Sequence, residues 1–214
     1  YHKFNVKIVG NSAGFAMEML GVSHWAVEDI AYIRAIPNIT ILSPADSLEA
    51  IKAIKAAAEI HGPVYVRLAR MKTNLIYDEN QKFEIGKGVQ IGEGTDATVI
   101  ATGVVVSEAL KAQEELKKQG IDIRVIDMHT IKPIDKDIIV KAAKETKKII
   151  TIEDHSIIGG LGTAVCEVLS ENNPAKVLRI GMVDEFGQSG TPSELLKYYG
   201  LDAESIVDRV VEII

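Results

Sequence analysis

This chain has little cysteine, few aromatic rings, no excess of basic charge and no long apolar run, and each shortage removes a class of protein. Its single cysteine, Cys166, rules out an internal disulfide framework and fits a reducing, cytoplasmic compartment. Aromatic residues make up 5% and the net charge is −6, whereas a nucleic-acid surface shows a basic stripe. No apolar stretch approaches the roughly 20 residues of a membrane-spanning helix, and no basic-then-apolar leader opens the sequence. Neither nucleic acid nor membrane is expected as a partner. The histidines His2, His24, His61, His129 and His155 are scattered without ligand spacing, which argues against zinc, and no metal ligand is assigned. What is present, 47% hydrophobic and 25% charged residues over 214 positions, suffices for a sizeable core in one or two domains.

Short apolar runs alternate with helical patterns throughout, the signature of mainly parallel sheets with covering helices. The expected class is α/β: two three-layer α/β/α units with mostly parallel sheets, the first incomplete at its N-terminus. In the first unit, residues 1–75, "VKIVG" (6–10), "ITILS" (39–43) and "VYVRLA" (64–69) read as strands, with a helix over 45–59. Residues 76–94 read as a linker. The turn formers Asp78, Glu79 and Asn80 and the glycines that follow them suggest a small strand pair over 71–94. The second unit, 95–214, carries strands over 97–103, 121–128, 148–154 and 176–182, each followed by a helical pattern. Thr191, Pro192 and Glu194 spell a capping box, and Asp202 caps a terminal helix. Three strands in about 70 residues would leave edges and apolar faces uncovered. The first unit is therefore expected to be the second half of a domain whose front half lies elsewhere.

Candidate site residues follow from position. In "GVSHWAVEDIAYIRAIPN" (21–38), Ser23 reads as an N-cap, with Ala26, Ile30 and Ile33 on the buried face of the helix it starts. His24 would then lie in the first helical turn, where a neutral imidazole is favoured and can exchange hydrogen bonds with a ligand. A capping histidine fits the same position. Arg70 falls at the carboxyl end of "VYVRLAR" (64–70), on the rim where open α/β sheets bind ligands, and its planar fork suits a phosphate or carboxylate. A surface ion pair fits it as well. Arg67 lies on the opposite strand face from Arg70. "GGLG" (159–162) lacks the spacing of a phosphate loop and reads as a tight turn. "EDHS" (153–156) has no nucleophile frame around Ser156 and reads as a hydrogen-bonded turn.

"GVSHWAVEDIAYIRAIPNITILSPAD" resembles the G-x-[ST]-H-Q-x-x-E-D-I-A-x-x-R-x-I-P-N segment of transketolases. "GPVYVRLAR", "ATVIATG", "IDIRVIDMHTIKPID", "EDHSIIGGLGTAVCEVL" and "DEFGQSGTPSELLKYYGL" continue the likeness in order over the whole chain. The nearest pattern is the C-terminal half of split, two-subunit transketolases. The resemblance implies that the first unit belongs to a domain holding the aminopyrimidine of thiamine diphosphate, and that 95–214 is a C-terminal domain supporting homo-association. It implies an enzyme that moves a two-carbon ketol unit between sugar phosphates in carbohydrate metabolism, as in the pentose phosphate pathway. The cofactor supplies the covalent chemistry. In the family, the histidine matching His24 meets the substrate and its adduct, and the arginine matching Arg70 holds the substrate phosphate.

Three departures qualify the likeness. No residue matches the glutamate that protonates the aminopyrimidine. The diphosphate motif that binds magnesium is also missing, so both are expected on an N-terminal partner subunit, and this chain alone should be inactive. Third, Ser12, Leu20 and Trp25 stand where the family usually shows histidine, an acid and glutamine, which puts ordinary pentose phosphates in question. Deoxyxylulose phosphate synthase and the β subunit of a 2-oxoacid dehydrogenase share the domain order. A non-catalytic assembly module is a further alternative.

Overall fold

The computed structural model describes residues 2, 4–15 and 20–214. The first unit runs β1 (Lys7–Asn11), a 3₁₀ turn (Val22–His24), α1 (Asp29–Arg34), β2 (Thr40–Leu42), α2 (Ser47–Glu59) and β3 (Val64–Leu68). After an irregular stretch come β4 (Val89–Ile91), β5 (Ala97–Ala101), α3 (Val106–Lys118), β6 (Ile123–Asp127), β7 (Thr130–Lys132) and α4 (Lys136–Thr146). The chain continues through β8 (Lys148–Ser156), α5 (Leu161–Asn172), β9 (Lys176–Met182), α6 (Pro192–Tyr198) and α7 (Ala203–Ile213). Two sheets result, ordered β1-β3-β2-β7 and β4-β6-β5-β8-β9, parallel except where β7 and β4 join. The α/β class expected from the alternation is the one observed.

Local chemistry accounts for the helix boundaries. Asp46, Asp135, Thr191 and Asp202 each accept a hydrogen bond from a first-turn amide of the helix they precede, and Thr191 and Glu194 complete the capping box. In α3, Val106, Ala109, Ala112 and Leu116 recur at helical spacing and are buried against the sheet.

Three details differ from the sequence reading. The stretch 71–94 does not form its own strand pair. Only Val89–Ile91 is extended, and it pairs antiparallel with β6, where the exposed edge of a sheet offers free backbone groups. Thr130–Lys132, to which no element was assigned from sequence, crosses to the first sheet and pairs antiparallel with β2, while the Lys132 ammonium donates to the Arg34 and Ile36 carbonyls. The third concerns Ser23, which caps no helix. The chain is extended from Trp25, where Ala26 exchanges backbone hydrogen bonds with Gly14 at 2.9 and 3.3 Å, and α1 starts only at Asp29. That cross-link competes with helix formation and wins. Ala26 therefore leaves the helical face assigned to it.

The core is shared between the units. Ile30, Ile41 and Tyr65 of the first pack in one cluster with Ile100, Ile126 and Ile149 of the second. The cluster confined to the first unit holds only Leu42, Ala53, Ala57, Val64 and Val66 as buried members. So few side chains cannot stabilise a separate layer, and the first sheet depends on the second unit for cover. At the outer edge of the first sheet, Ile8 and Val9 point to opposite faces of β1, yet are 52% and 50% exposed. Among the described residues, neither face of that strand is more than partly covered.

Asp46 ties the irregular stretch to this frame. Its carboxylate is buried and accepts from the Glu49 amide at 2.8 Å and from the amides of Ile76 and Tyr77 at 2.7 and 3.0 Å. Asp46→Ala strands three donors, each worth about 1–3 kcal/mol when buried without a partner, and should destabilise the protein by about 2–4 kcal/mol in urea unfolding. Asp46→Asn, which keeps an acceptor oxygen, should recover part of that. A loss below about 0.5 kcal/mol for the alanine variant would contradict the assignment.

Candidate active site

The carboxyl ends of the parallel strands in both sheets converge. The Ser43 carbonyl, just past β2, accepts from the Gly103 amide at 3.2 Å and the Thr102 hydroxyl at 3.3 Å, both just past β5. The Ser43 amide in turn donates to the His129 carbonyl at 2.8 Å. Such carboxyl-end crevices are where α/β sheets hold ligands, but here the units fill much of the space with each other.

Arg67 is the centre of that filling. It projects from β3 with 3% exposure, and every part of its guanidinium group has an acceptor. Nε meets the Asp29 carboxylate at 3.0 and 3.2 Å, and Nη1 meets Asp154 Oδ1 at 2.7 Å. Nη2 donates to the carbonyls of Ala26 and Asp154, each at 3.1 Å. The Tyr65 hydroxyl donates to Asp29 at 2.7 Å. Burial works against the arginine charge, but Asp154 and Asp29 outweigh it and the group stays protonated. The sequence reading set Arg67 aside in favour of Arg70. A charged residue in the middle of the apolar run "VYVRL" was the available signal, because such a strand buries both faces and a charge there requires a partner.

"EDHS" lies within β8 rather than in a turn. Glu153 accepts from the amides of Leu161 and Gly162 at 2.6 and 2.9 Å and so occupies the N-terminus of α5. A side-chain carbon at Gly160 would overlap this carboxylate. "GGLG" is thus a turn whose helix end already holds an internal carboxyl group, in agreement with its reading as a tight turn. Burial raises the Glu153 carboxyl to about 7, against the two amide hydrogen bonds and Arg67. Burial, with Arg67 next, lowers the neighbouring His155 to about 4. His129, stacked on Phe83 at 4.2 Å, is likewise lowered to about 4 by burial.

The two residues singled out from sequence lie in segments joined near the carboxyl ends of β1 and β3, whereas the open cavity at the ends of β8 and β9, lined by Ser156, Met182 and Val183, contains neither. Asn11 at the end of β1 lies beside Leu68 at the end of β3, and the Ala13 amide donates to the Leu68 carbonyl at 3.0 Å. Arg70 follows two residues later and is exposed. Through the Gly14–Ala26 bridge the same loop meets the segment carrying His24, which is also exposed. His24 ends the 3₁₀ turn instead of opening a helix, so it does not sit at the positive end of a helix dipole. Its Nδ1 lies 3.0 Å from the Ser23 hydroxyl. An imidazole in a 3₁₀ turn and a guanidinium just past β3 are groups suited to hydroxyl and phosphate oxygens respectively.

Around them the surface is apolar. Leu20 is 55% exposed and Val22 44%. Trp25 packs edge-on to Phe15 and Tyr199, with ring centroids 4.9 and 6.0 Å away. Ser12 has a left-handed backbone, φ 70°, which strains a non-glycine residue and is a frequent mark of functional loops. Residues 16–19 of the segment 11–20 lie outside the described residues. Among the described residues no group of three or more His, Cys, Asp or Glu side chains could hold a metal, and no helix is long and apolar enough to cross a membrane.

A two-unit α/β frame of mostly parallel sheets, with an exposed histidine and an exposed arginine in the loops near its strand ends, defines only a broad class of proteins. Comparison narrows it. Residues 1–74 match the transketolase pyrimidine-binding domain and residues 86–206 the transketolase C-terminal domain. The chain is 51% identical to a Methanocaldococcus jannaschii protein described as a transketolase C-terminal section, over 99% of this chain and 67% of the relative. It is 43% identical to one subunit of an apulose-4-phosphate transketolase from Phocaeicola vulgatus, over 100% of this chain and 69% of the relative. A split-gene transketolase, solved as an inactive β4 tetramer, superposes with a TM-score of 0.92 at 44% identity, over 99% of this chain and 67% of that one. The chain belongs to the transketolase family, and it spans about two thirds of the length of these relatives.

The Glu153 shift carries a testable sign. A carboxyl raised in the folded state adds stability that is full below its unfolded value, near 4.5, and is lost as pH rises through about 7. His155 and His129 act oppositely, since a lowered histidine adds stability above its unfolded value of 6.5 that is lost as pH falls toward about 4. Glu153→Gln should therefore steepen the rise of stability with pH between 4.5 and 7, by about 1 kcal/mol per pH unit. Urea unfolding across that range measures it. Parallel curves for the variant and the parent protein would contradict the shift.

Proposed function

We propose that this chain is the C-terminal subunit of a split, thiamine-diphosphate-dependent transketolase of the cytoplasm, active only with an N-terminal partner. The observation that carries this reading is the close superposition along the whole chain on a split-gene transketolase that, as a β4 tetramer, is inactive. The half-exposed Ile8 and Val9 of β1 support a partner surface packed against that strand. In this reading 1–75 is half of the pyrimidine-binding domain, 76–94 a linker, and 95–214 the C-terminal domain through which copies of the chain associate.

In this reading the magnesium and diphosphate half of the cofactor site belongs to the partner subunit. Thiamine diphosphate supplies, when bound, a stabilised carbanion for two-carbon transfer. This chain contributes the substrate side of the site. His24 hydrogen-bonds the hydroxyl or oxyanion oxygens of the ketol unit, and Arg70 holds the phosphate of the sugar. Leu20, Val22 and Trp25 make the wall beside His24 apolar, which suits an acceptor with fewer hydroxyls than a pentose phosphate. Two relatives agree with such latitude, one named for apulose 4-phosphate and one, from a Clostridium species and 40% identical, for 6-deoxy-6-sulfo-D-fructose.

Mixing the purified chain with its N-terminal partner, thiamine diphosphate and magnesium should give ketol transfer that neither protein shows alone. Activity of this chain by itself would overturn the reading, as would a mixture that takes up no cofactor by calorimetry. Within the active mixture, His24→Ala should lower kcat/KM about a hundredfold, the usual cost of one such donor. Rates with xylulose 5-phosphate and ribose 5-phosphate equal to those of an ordinary transketolase would exclude the altered acceptor.

A further inference from the structure

The second unit does more than support association: we infer that Arg67, Asp154 and Ser156 are positioning residues that fix the His24-bearing segment from below. The inference rests on the proposed role of His24. Three hydrogen-bonded ties converge on two consecutive carbonyls just after that histidine. The Ala26 carbonyl accepts from the Gly14 amide at 2.9 Å and from Arg67 Nη2 at 3.1 Å. The Val27 carbonyl accepts from the Ser156 amide at 2.7 Å. Ser156 and Asp154 both belong to β8, the longest strand of the second sheet, so that strand touches the segment directly and again through the arginine.

The loop on the other side of His24 is held by the same group. Gly14 has φ 62°, and a side-chain carbon there would overlap the Asp154 carboxylate. Glycine is needed on both counts, and the 12–14 loop is seated on Asp154 as closely as a backbone can approach. The Asp154 carboxylate therefore fixes Arg67, and Arg67 fixes Ala26, while the carboxylate itself supports Gly14 on the opposite flank. His24 projects from the far end of a segment whose base is rigid. A hydrogen-bonding group loses effectiveness when its support shifts by about an ångström, at a cost of about a hundredfold in rate. None of the three clamping groups reaches the rim, so they act only through what they hold.

This predicts coupling to His24 that a merely structural role would not show. In the two-subunit complex, carbon dioxide release from hydroxypyruvate is measured for Asp154→Asn, Arg67→Lys, His24→Ala and each double variant with His24→Ala. The clamp predicts that Asp154→Asn and Arg67→Lys each lower kcat/KM at least about tenfold in the parent chain and less than about twofold in the His24→Ala background. Equal losses in both backgrounds overturn the clamp while leaving the role of His24 intact. Full activity of His24→Ala overturns both. Should the variants not fold, hydrogen exchange of the unaltered chain decides. The Gly14 amide should exchange as slowly as that of Ser156, and exchange within about tenfold of the unprotected rate overturns the clamp.

Discussion

The structure depends on a single buried cation. Arg67 sits between Asp29 and Asp154 with no water-facing edge, and a charge in that setting is tolerable only when every donor is matched. Removing one partner from such a group costs about 3–5 kcal/mol because the other charge is left buried. The pair is better understood as a fixer of register than as a source of net stability. Apolar contacts such as those of Ile30 and Ile41 against Ile126 and Ile149 would tolerate sliding, whereas the two arginine hydrogen bonds that cross to Asp154, on a guanidinium already held by Asp29 and Ala26, are satisfied in one arrangement of the two units only. The geometry of the loops above follows from that arrangement.

The same contact decides where a ligand can go. Carboxyl-end crevices of α/β sheets are the usual binding places. In the second sheet these are filled in part, with Ser43 and Arg67 against the ends of β5 and β8 and the Glu153 side chain at the N-terminus of α5, while a cavity beside Ser156, Met182 and Val183 stays open at the ends of β8 and β9. At the carboxyl ends of β1 and β3 the loops carry Ser12 and Arg70, and the Gly14–Ala26 bridge joins them to the segment that carries His24. Contact between the units thus occupies the strand ends around Arg67 and braces the loops that carry His24 and Arg70.

Much of the fold could be read from residue patterns because it is set by local chemistry. Caps at Thr191 and Asp202, the period of α3 and the apolar strand runs each specify their element within a few residues. What escaped was long-range. "GVSHWAVEDIA" has a helical spelling, but the backbone exchange between Ala26 and Gly14 holds its first half extended. Thr130–Lys132 has nothing strand-like about it until β2 is beside it. Arg67 and Asp154 are 87 residues apart, and nothing in either neighbourhood names the other. For the candidate site, residue identities pointed to His24 and Arg70, whose roles are proposals, whereas the Arg67–Asp154 contact beneath them was not legible, since it is made by pairing between distant strands.

If one ion-paired centre holds the units together, the first unit cannot unfold while the second stays intact. The protein's only tryptophan, Trp25, lies on the seam, against Phe15 and Tyr199, and reports on it by fluorescence, while circular dichroism follows the helices of both units. A urea titration monitored by both signals should give coincident transitions with one midpoint. A fluorescence transition completed at lower urea than the loss of helix would show that the seam opens first, and would contradict the account.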